Sequence, residues 1–338
     1  MTSGAAKLST KNPSLENFSA VPPMDSLGAI RKFLNNYLIG SDELIEKLLI
    51  CLLADGHILI EGAPGLGKTR SAKLLAQKLD LSFARIQCTP DLMPADITGT
   101  SVWRPDRGVF EFLPGPIFHS LLLVDEINRA PPKVQSALLE AMAEKQATVA
   151  GETRALPNPF MTIATQNPIE QEGTFPLPEA QLDRFMLHVE LSLPNAETER
   201  QILDLLEGAI LSEAPVSDIP WNTEAILAAR KGAREIFLSP AVKDYIVRLV
   251  TAPRDKSFAP DLAIKIDYPA SPRGTLALAA ASKARAYLLG RDYVLPDDVL
   301  ALAVDALSHR TILSWQALSE GSSTRSIIKA YLERVMPT

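Results

Sequence analysis

The chain has 338 residues, of which 46% are hydrophobic and 22% are charged, and its formal net charge is −6 at pH 7. This composition is typical of a folded globular protein and excludes wholesale disorder, a collagen-like repeat and a short disulfide scaffold. The mildly acidic balance does not suit a protein whose main task is to bind nucleic-acid phosphates or an anionic membrane.

The first 23 residues differ in composition from the rest of the chain. They are rich in Ser, Thr, Asn and Pro, so we predict a flexible N-terminal arm over residues 1–23. The arm lacks the apolar core of a secretory signal, and nowhere do about 18 apolar residues follow one another as in a membrane span. Cys51 and Cys88 have no metal-binding or paired spacing, which is typical of core residues in a reducing compartment. These features predict a cytoplasmic protein.

Helices and short strands alternate between Met24 and about residue 194. Apolar residues lie on one helical face between Leu27 and Leu38, and a second helix is predicted over Glu43–Leu53. The predicted strands are short apolar runs: His57–Ile60, Ser82–Gln87, Ser120–Val124, Phe160–Thr165 and Leu187–Leu191. This alternation predicts an α/β domain over residues 24–194, with a parallel sheet built from βαβ units.

Residues 88–118 interrupt this alternation. They hold several Pro and Gly residues and two short β-like pieces, Gly99–Trp103 and Val109–Phe112, on either side of a turn at Arg104–Gly108. The pattern predicts a β-hairpin inserted into the α/β domain.

After about residue 194 the pattern becomes helical, and we predict an all-α second domain over residues 195–338. The predicted helices are Ala196–Leu206, Glu224–Phe237, Ala241–Thr251, Arg273–Leu289, Asp297–Ser308 and Ser326–Arg334.

The segment that follows the first strand reads GlyAlaProGlyLeuGlyLysThr and matches the GxxxxGK[ST] pattern of a phosphate-binding loop. Its glycines allow successive backbone N–H groups to curl around a triphosphate, and the N-terminus of the next helix adds positive charge. Lys68 is expected to reach the β- and γ-phosphates, and the Thr69 hydroxyl to ligate Mg²⁺. The predicted ATP-binding residues are Gly62, Ala63, Pro64, Gly65, Leu66, Gly67, Lys68, Thr69 and Arg70.

The third predicted strand ends in two carboxylates, Asp125 and Glu126. An apolar strand that delivers an Asp at its carboxyl end places it beside the Mg²⁺ of a nucleotide, as a Walker B residue does. The next residue, Glu126, could then activate the attacking water as a general base. An apolar run that ends in Asp-Glu is by itself a weak indication of a nucleotide site. The phosphate-binding loop upstream is the reason to interpret it as a Walker B strand.

Three further polar residues stand at ends of predicted elements. Asn167 follows the fourth strand, where its amide could bond the attacking water or the γ-phosphate, although Asn before Pro is usually a turn residue. Arg184 follows a short helix and could stabilise phosphoryl charge, although a lone Arg is most often a surface residue. Arg273 follows Ser271 and Pro272, which suit a helix start but give the arginine no task.

These segments, in this order, resemble an AAA+ ATPase and more narrowly the MoxR family. The segments that carry the resemblance are GlyAlaProGlyLeuGlyLysThr (62–69), LeuLeuValAspGluIleAsnArgAla (122–130), AlaThrGlnAsnPro (164–168), LeuProGluAlaGlnLeuAspArgPhe (177–185) and SerProArgGly (271–274). The resemblance covers about residues 25–315. The long stretch before Arg273 departs from the family pattern.

The resemblance implies a role for each matching residue. Asn167 is similar to sensor 1, Arg184 to the arginine finger supplied to a neighbouring subunit's nucleotide, and Arg273 to sensor 2, which couples the lid domain to the γ-phosphate. The inserted hairpin matches the helix-2 insert of this AAA+ branch. The family's usual assembly is a hexameric ring, so hydrolysis is expected to depend on assembly.

Three classes of function fit the sequence. The first is a MoxR-type ATPase that remodels or matures client proteins, with von Willebrand factor A domain proteins among the expected partners. The second is a motor subunit of a metal chelatase, which shares the hairpin and the ATP site. The third is a nucleic-acid motor. Two features argue against this class: the net charge is negative, and no DNA-binding domain or basic arm is appended. The sequence favours the first class and does not name the client.

Overall fold

The computed structural model describes residues 24–38, 40–168, 173–209 and 221–337. The arm predicted over residues 1–23 lies outside the described residues. In chain order the strands are β1 (Ile58–Gly62), β2 (Phe83–Gln87), β3 (Gly99–Arg104), β4 (Val109–Pro114), β5 (Leu121–Asp125), β6 (Gln146–Val149), β7 (Glu152–Ala155), β8 (Met161–Gln166), β9 (Leu187–Leu191), β10 (Ile266–Tyr268) and β11 (Ile312–Leu313).

The helices whose bounds were predicted begin and end within three residues of them, whereas α4, α5, α10 and α13 had no predicted bounds. In chain order they are α1 (Met24–Tyr37), α2 (Asp42–Leu53), α3 (Lys68–Lys78), α4 (Pro94–Thr98), α5 (Pro132–Glu144), α6 (Glu179–Leu182), α7 (Ala196–Ala209), α8 (Thr223–Glu235), α9 (Pro240–Thr251), α10 (Pro260–Ala263), α11 (Pro272–Leu288), α12 (Pro296–Leu307), α13 (Trp315–Ser319) and α14 (Thr324–Arg334). Ser239 and Ser271 cap α9 and α11 with their side chains, each before a Pro, a pairing that favours a helix start.

A five-stranded parallel sheet with the order β2-β5-β8-β1-β9 forms the centre of the first domain. Strand β5 is buried along its whole length, as expected when helices cover both faces of a parallel sheet. The predicted α/β fold class is therefore confirmed. Because the strands are parallel, the residues after β1, β5 and β8 meet at one edge of the sheet, which we call the carboxyl edge. The residues before the strands meet at the opposite edge, the amino edge.

The two faces of the sheet contribute to different apolar cores. One core joins β1 and β9 to α2, α3 and the helices of the second domain, and the other joins β5 and β8 to α5. Helix α2 lies between the sheet and the second domain, and most of its residues are buried. Both cysteines are fully buried in these cores, as predicted, and burial raises the pKa of the Cys88 thiol to about 12.

The predicted hairpin is present as the antiparallel pair β3–β4, from Gly99 opposite Pro114 to Arg104 opposite Val109. At its base only glycine fits, because a Cβ atom on Gly99 would lie 2.2 Å from the Leu113 carbonyl oxygen. Trp103 and Phe110 pack against each other near the tip, with ring centroids 5.1 Å apart and ring planes tilted by 59°. They are 50% and 71% exposed.

Two pairs of strands were not predicted from the sequence. Strands β6 and β7 form a second hairpin, whose turn residues Ala150 and Gly151 both have positive φ. Its strands are four residues long and only Ala147 in them is buried, so they lack the apolar runs from which the other strands were predicted. The prediction of helices alone after residue 194 was also wrong, because β10 and β11 pair there. These strands are too short to leave a pattern.

Candidate functional site

The phosphate-binding loop connects β1 to α3 at the carboxyl edge. Gly65 and Gly67 adopt positive φ angles of 87° and 72°, a conformation that side chains other than glycine rarely adopt. A Cβ atom at either position would meet nothing within 4 Å, so the backbone angle, not crowding, requires glycine there. The loop leads directly into α3, whose first residue is Lys68.

Lys68 lies between the ends of β1 and β8. Its Nζ donates to the Gly62 carbonyl oxygen at 2.7 Å and approaches the Gln166 carbonyl oxygen at 3.4 Å. Partial burial lowers the pKa of Lys68, although the carboxylates of Asp125 and Glu126 oppose the shift. The ammonium group is therefore held by weak carbonyl partners at the place where the sequence predicts phosphates.

Asp125 ends β5 and is buried. Its Oδ2 accepts from the Thr69 hydroxyl at 3.3 Å and from Arg85 Nε at 2.6 Å, and its Oδ1 accepts from the Thr165 hydroxyl at 3.2 Å. Asp125 and Thr69 thus place a carboxylate and a hydroxyl oxygen side by side. No group of three or more His, Cys, Asp or Glu side chains that could hold a metal by itself occurs among the described residues. Mg²⁺ is usually bound by one or two carboxylates together with substrate phosphates, so this donor pair fits it.

Glu126 stands in the left-handed region with φ of 56°, which is uncommon for residues other than glycine and is found at strained functional sites. Its backbone N–H donates to the Thr165 hydroxyl at 2.9 Å. Its carboxylate accepts from Gln87 Nε2 at 3.1 Å and from Arg129 NH1 at 3.2 Å through the same oxygen, Oε2. The sharp turn after β5 therefore directs Glu126 to polar donors on neighbouring elements.

Asn167 follows β8 and is buried, next to Gln166. Because β8 lies between β5 and β1, Asn167 reaches the same edge of the sheet as Asp125 and Lys68. The structure thus brings together the predicted residues Lys68, Thr69, Asp125, Glu126 and Asn167.

A pocket of about 560 Å³ opens beside the phosphate-binding loop. Apolar side chains from three parts of the chain line it, together with Arg70 from the start of α3. They include Tyr37, Leu44, Leu66, Leu191, Pro194 and Ile202. Such a mostly apolar pocket with a few polar groups is typical of small-molecule sites, and it lies where a base and ribose would extend from phosphates on the loop.

Arg184 and Arg273 lie far from these residues. Both line a cavity of about 420 Å³ at the amino edge, together with His57, which precedes β1, and Met186, which precedes β9. The five residues of β1 separate this cavity from the phosphate-binding loop, a distance of about 16 Å. Arg184 NH1 donates to the Leu139 carbonyl oxygen at 3.1 Å. Neither arginine can therefore contact phosphates on the loop of its own chain in this arrangement.

The second domain is held at the amino edge through Asp183. Arg310 Nε donates to Asp183 Oδ1 at 2.8 Å, and Arg273 NH1 lies 3.5 Å from Asp183 Oδ2. Arg310 is almost completely buried, and burial lowers its pKa while Asp183 opposes the shift. One carboxylate thus binds two arginines of the second domain and directly precedes Arg184.

His57 is a buried structural residue. Its Nδ1 accepts from the Thr162 backbone N–H at 3.0 Å, so Nε2 carries the proton and donates to the Met142 carbonyl oxygen at 3.3 Å. Burial lowers its pKa to about 4. Two residues of the carboxyl edge, Arg85 and Gln87, were not predicted from the sequence. The available signal was their two-residue spacing at the end of a strand, which places both side chains on one face.

Two sequence profiles match the chain. One described as "ATPase family associated with various cellular activities (AAA)" matches residues 57–187, and one described as "AAA lid domain" matches residues 260–331. The first match spans the central sheet as far as the start of β9, and the second runs from α10 into α14. We therefore call the helical second domain the lid.

Several known proteins are similar over most of their length. Chaperone MoxR1 of Mycobacterium tuberculosis is 41% identical, with 88% of this chain and 78% of the relative covered. Protein YeaC of Bacillus subtilis, described as uncharacterized, is 40% identical, with 91% and 94% covered. Protein MoxR of Paracoccus denitrificans is 33% identical, with 83% and 87% covered. A crystal structure from Cytophaga hutchinsonii, described as a candidate ATPase, has a TM-score of 0.87 and 41% identity, with 93% of this chain and 96% of that chain covered.

Proposed function

The chain belongs to the MoxR family of AAA+ ATPases, and from this premise we propose that it binds and hydrolyses ATP with Mg²⁺ to remodel partner proteins. The observation that carries the proposal is the convergence of Lys68, Thr69, Asp125 and Glu126 at the carboxyl edge of the sheet. These four side chains come from two segments of the chain and supply a phosphate cation, a metal-ligand pair and a general base.

The proposed reaction is attack of water on the γ-phosphorus of ATP. A bond forms between the water oxygen and this phosphorus, the bond to the β,γ-bridging oxygen breaks, and ADP and inorganic phosphate leave. Glu126 accepts the proton from the water, and Asn167 orients the water or the γ-phosphate. Lys68 offsets negative charge on the phosphates. Mg²⁺ held by Thr69 and Asp125 would neutralise further charge on the β- and γ-phosphates.

Glu126 has to change partners before it can act as a base. Its Oε2 accepts hydrogen bonds from both Gln87 and Arg129, and these donors occupy the lone pairs with which that oxygen would accept a proton. We infer that the approach of the water displaces at least one of these donors. In the arrangement described, the Glu126 carboxylate is therefore held away from its role as the base.

We further propose that subunits assemble into a ring, usually a hexamer, in which Arg184 and Arg273 act on a neighbouring subunit's nucleotide. Support comes from their position at the amino edge, about 16 Å from their own phosphate-binding loop. A guanidinium aimed at the transferred phosphoryl group stabilises the transition state. Hydrolysis would then need two subunits at each site.

The test is the ATPase rate measured against protein concentration, read beside the light-scattering mass with and without ATP. We expect the ATPase rate per subunit to rise with protein concentration while the mass moves toward that of a ring. The Glu126→Gln variant should show the same change in mass without the increase in ATPase rate. A rate that stays constant per subunit in a persistent monomer would contradict the ring proposal.

A client-remodelling role is supported by the relative named Chaperone MoxR1 and by the exposed aromatic pair of Trp103 and Phe110. Proteins with von Willebrand factor A domains are the proposed partners. Replacing Trp103 by Ala should leave the basal ATPase rate within about twofold, since surface changes away from a site have small effects, and should abolish stimulation of that rate by a client. Undiminished stimulation would exclude Trp103 as a client contact.

We propose the cytoplasm as the location, which cell fractionation would test. In the ranges that the structure describes, no helix is both long enough and apolar enough to span a bilayer.

A further inference from the structure

The cavity at the amino edge contains more positive charge than the two predicted arginines supply. Four cationic side chains line it, and two carboxylates oppose them. The cations are Lys145, Arg184, Arg273 and Arg310, and the carboxylates are Asp55 and Asp183. Of the two cations without a predicted role, Arg310 is almost completely buried against Asp183. Lys145 is the one that the fold leaves half exposed, with 48% of its side chain accessible.

Lys145 is fixed in place by the backbone at the end of α5. It adopts a positive φ of 53°, and its backbone N–H donates to the Ala141 carbonyl oxygen at 2.9 Å. The same helix holds Arg184 through the Leu139 carbonyl oxygen. Leu139 and Lys145 are six residues apart, about 9 Å along a helix axis. One helix therefore places the lysine and the arginine in the lining of the same cavity.

The carboxylate beside Lys145, that of Asp55, also forms ion pairs with two other cations. Asp55 binds Lys145, but it also accepts from Arg230 NH1 at 2.5 Å and lies 3.3 Å from Arg234 NH2. Arg230 is buried and also donates to the Leu52 carbonyl oxygen at 2.8 Å. Because one carboxylate is shared by three cations, positive charge remains on Lys145. Asp55 positions the ammonium group in the cavity without neutralising it.

We propose that Lys145 is a third cation, beside Arg184 and Arg273, that stabilises the charge developing on a neighbouring subunit's triphosphate during hydrolysis. This inference rests on the ring proposed above. As the bond from the γ-phosphorus to the bridging oxygen breaks, negative charge grows on the phosphate oxygens, and the ammonium group stabilises it without being consumed. Lys145 is then a catalytic residue for its neighbour and is not needed for nucleotide binding by its own chain.

The first experiment compares Lys145→Met with Lys145→Arg and with a matched control, Lys133→Met, which removes an exposed lysine at the other end of α5. Lys145→Met should lower kcat about tenfold, a smaller loss than that of a main oxyanion donor. Its affinity for a fluorescent ATP analogue and its ring mass should stay as in the wild type. Lys145→Arg should keep at least about half of the activity, and Lys133→Met should keep all of it. A wild-type kcat in Lys145→Met would overturn the proposal.

The second experiment mixes Lys145→Met subunits with Lys68→Ala subunits at equal amounts, under conditions that allow subunit exchange. In a ring, a site is intact when a Lys145→Met subunit supplies the phosphate-binding loop and a Lys68→Ala subunit supplies the amino edge. Random mixing makes about a quarter of the sites intact, so activity should rise to about a quarter of the wild-type value. Activity that stays at the average of the two separate variants would overturn the proposal.

A parallel mixture of Arg184→Ala with Lys68→Ala distinguishes the role of Lys145 from the ring proposal. Recovery in this mixture without recovery in the Lys145 mixture would overturn the role of Lys145 and leave the ring proposal intact. No recovery in either mixture would overturn both. If Lys145→Met fails to form rings that Lys145→Arg still forms, the lysine is an interface contact, and the catalytic proposal is wrong.

Discussion

The carboxyl and amino edges of the sheet differ in how their charged groups are balanced. At the carboxyl edge, Asp125 and Glu126 each accept hydrogen bonds from neighbouring side chains of the same chain, among them Arg85 and Gln87. At the amino edge, cations outnumber carboxylates around an open cavity. The first edge is complete enough to bind a nucleotide alone, whereas the second has an excess of positive charge that an anion from outside the chain would balance. This difference supports the proposal that the reaction site is divided between two copies of the chain.

The largest effect should come from breaking the amino edge alone. Replacing Arg184 by Ala should lower the rate of ATP hydrolysis about 1,000-fold, as is typical when an arginine finger is lost. Nucleotide affinity should change little, because the phosphate-binding loop lies at the opposite edge. Steady-state ATPase rates and titration with a fluorescent ATP analogue measure the two properties.

Arg107, an exposed arginine at the hairpin tip, provides the matched control for this change. Arg107→Ala should hydrolyse ATP at the wild-type rate. Hydrolysis at the wild-type rate by Arg184→Ala would show that Arg184 has no part in the reaction.

Breaking the carboxyl edge alone should have the next largest effect. Glu126→Gln removes the proposed base, and hydrolysis should fall about 100-fold, within the range for general-base catalysis. ATP binding should persist, and the ring should accumulate with ATP bound, as measured by light scattering with ATP. A variant that loses ATP binding together with hydrolysis would instead give Glu126 a role in holding the nucleotide.

The buried histidine at the amino edge makes stability depend on pH. The pKa of His57 is about 4 in the folded chain and 6.5 without burial, so the unfolded chain binds more protons between these values. The contribution of His57 to the free energy of unfolding should be constant above about pH 6.5 and fall as the pH drops towards 4, by up to about 3 kcal/mol. Chemical denaturation at several pH values measures this loss.

His57→Gln should reduce this pH dependence. Part of the dependence should remain, because burial also places the pKa of His309 well below its usual value. An unchanged dependence in His57→Gln would mean that other groups cause the acid sensitivity.

The smallest effect should come from altering the balance of charge at the carboxyl edge. Arg85 Nε donates to the Asp125 oxygen that also accepts from Thr69. The guanidinium of Arg85 should therefore compete with Mg²⁺ for this carboxylate. Arg85→Met should lower the Mg²⁺ concentration for half-maximal ATPase activity about threefold, in keeping with the small energy of a half-exposed ion pair. A higher Mg²⁺ requirement would show that Arg85 orients Asp125 for the metal instead.

The sequence predicted most of the residues that meet at the carboxyl edge because those residues lie within motifs. The glycine loop, the apolar strand that ends in Asp125 and Glu126, and the strand before Asn167 each leave a local pattern, and parallel strands necessarily bring their ends together. The fold class follows from the same alternation of strands and helices. The division into domains at residue 194 stays a prediction.

The sequence did not predict contacts between segments that leave no local pattern. Arg85 and Gln87 belong to an edge strand with few buried residues. Their partners are Asp125, the last residue of β5, and Glu126, which follows it. The separation of Arg273 from its own phosphate-binding loop depends on where the lid packs. That position is determined by the burial of Arg310 against Asp183 and by an apolar core shared with α2, neither of which has a sequence motif.

Asp183 has a mechanical consequence. It binds Arg310 and Arg273 of the lid, and the next residue in the chain is Arg184. The lid and the proposed arginine finger are thereby attached to the same short segment. We expect that a subunit's lid cannot rotate without moving Arg184 with it. In the proposed ring, a movement at one nucleotide would then be transmitted from subunit to subunit by rigid bodies that move relative to one another at the subunit contacts.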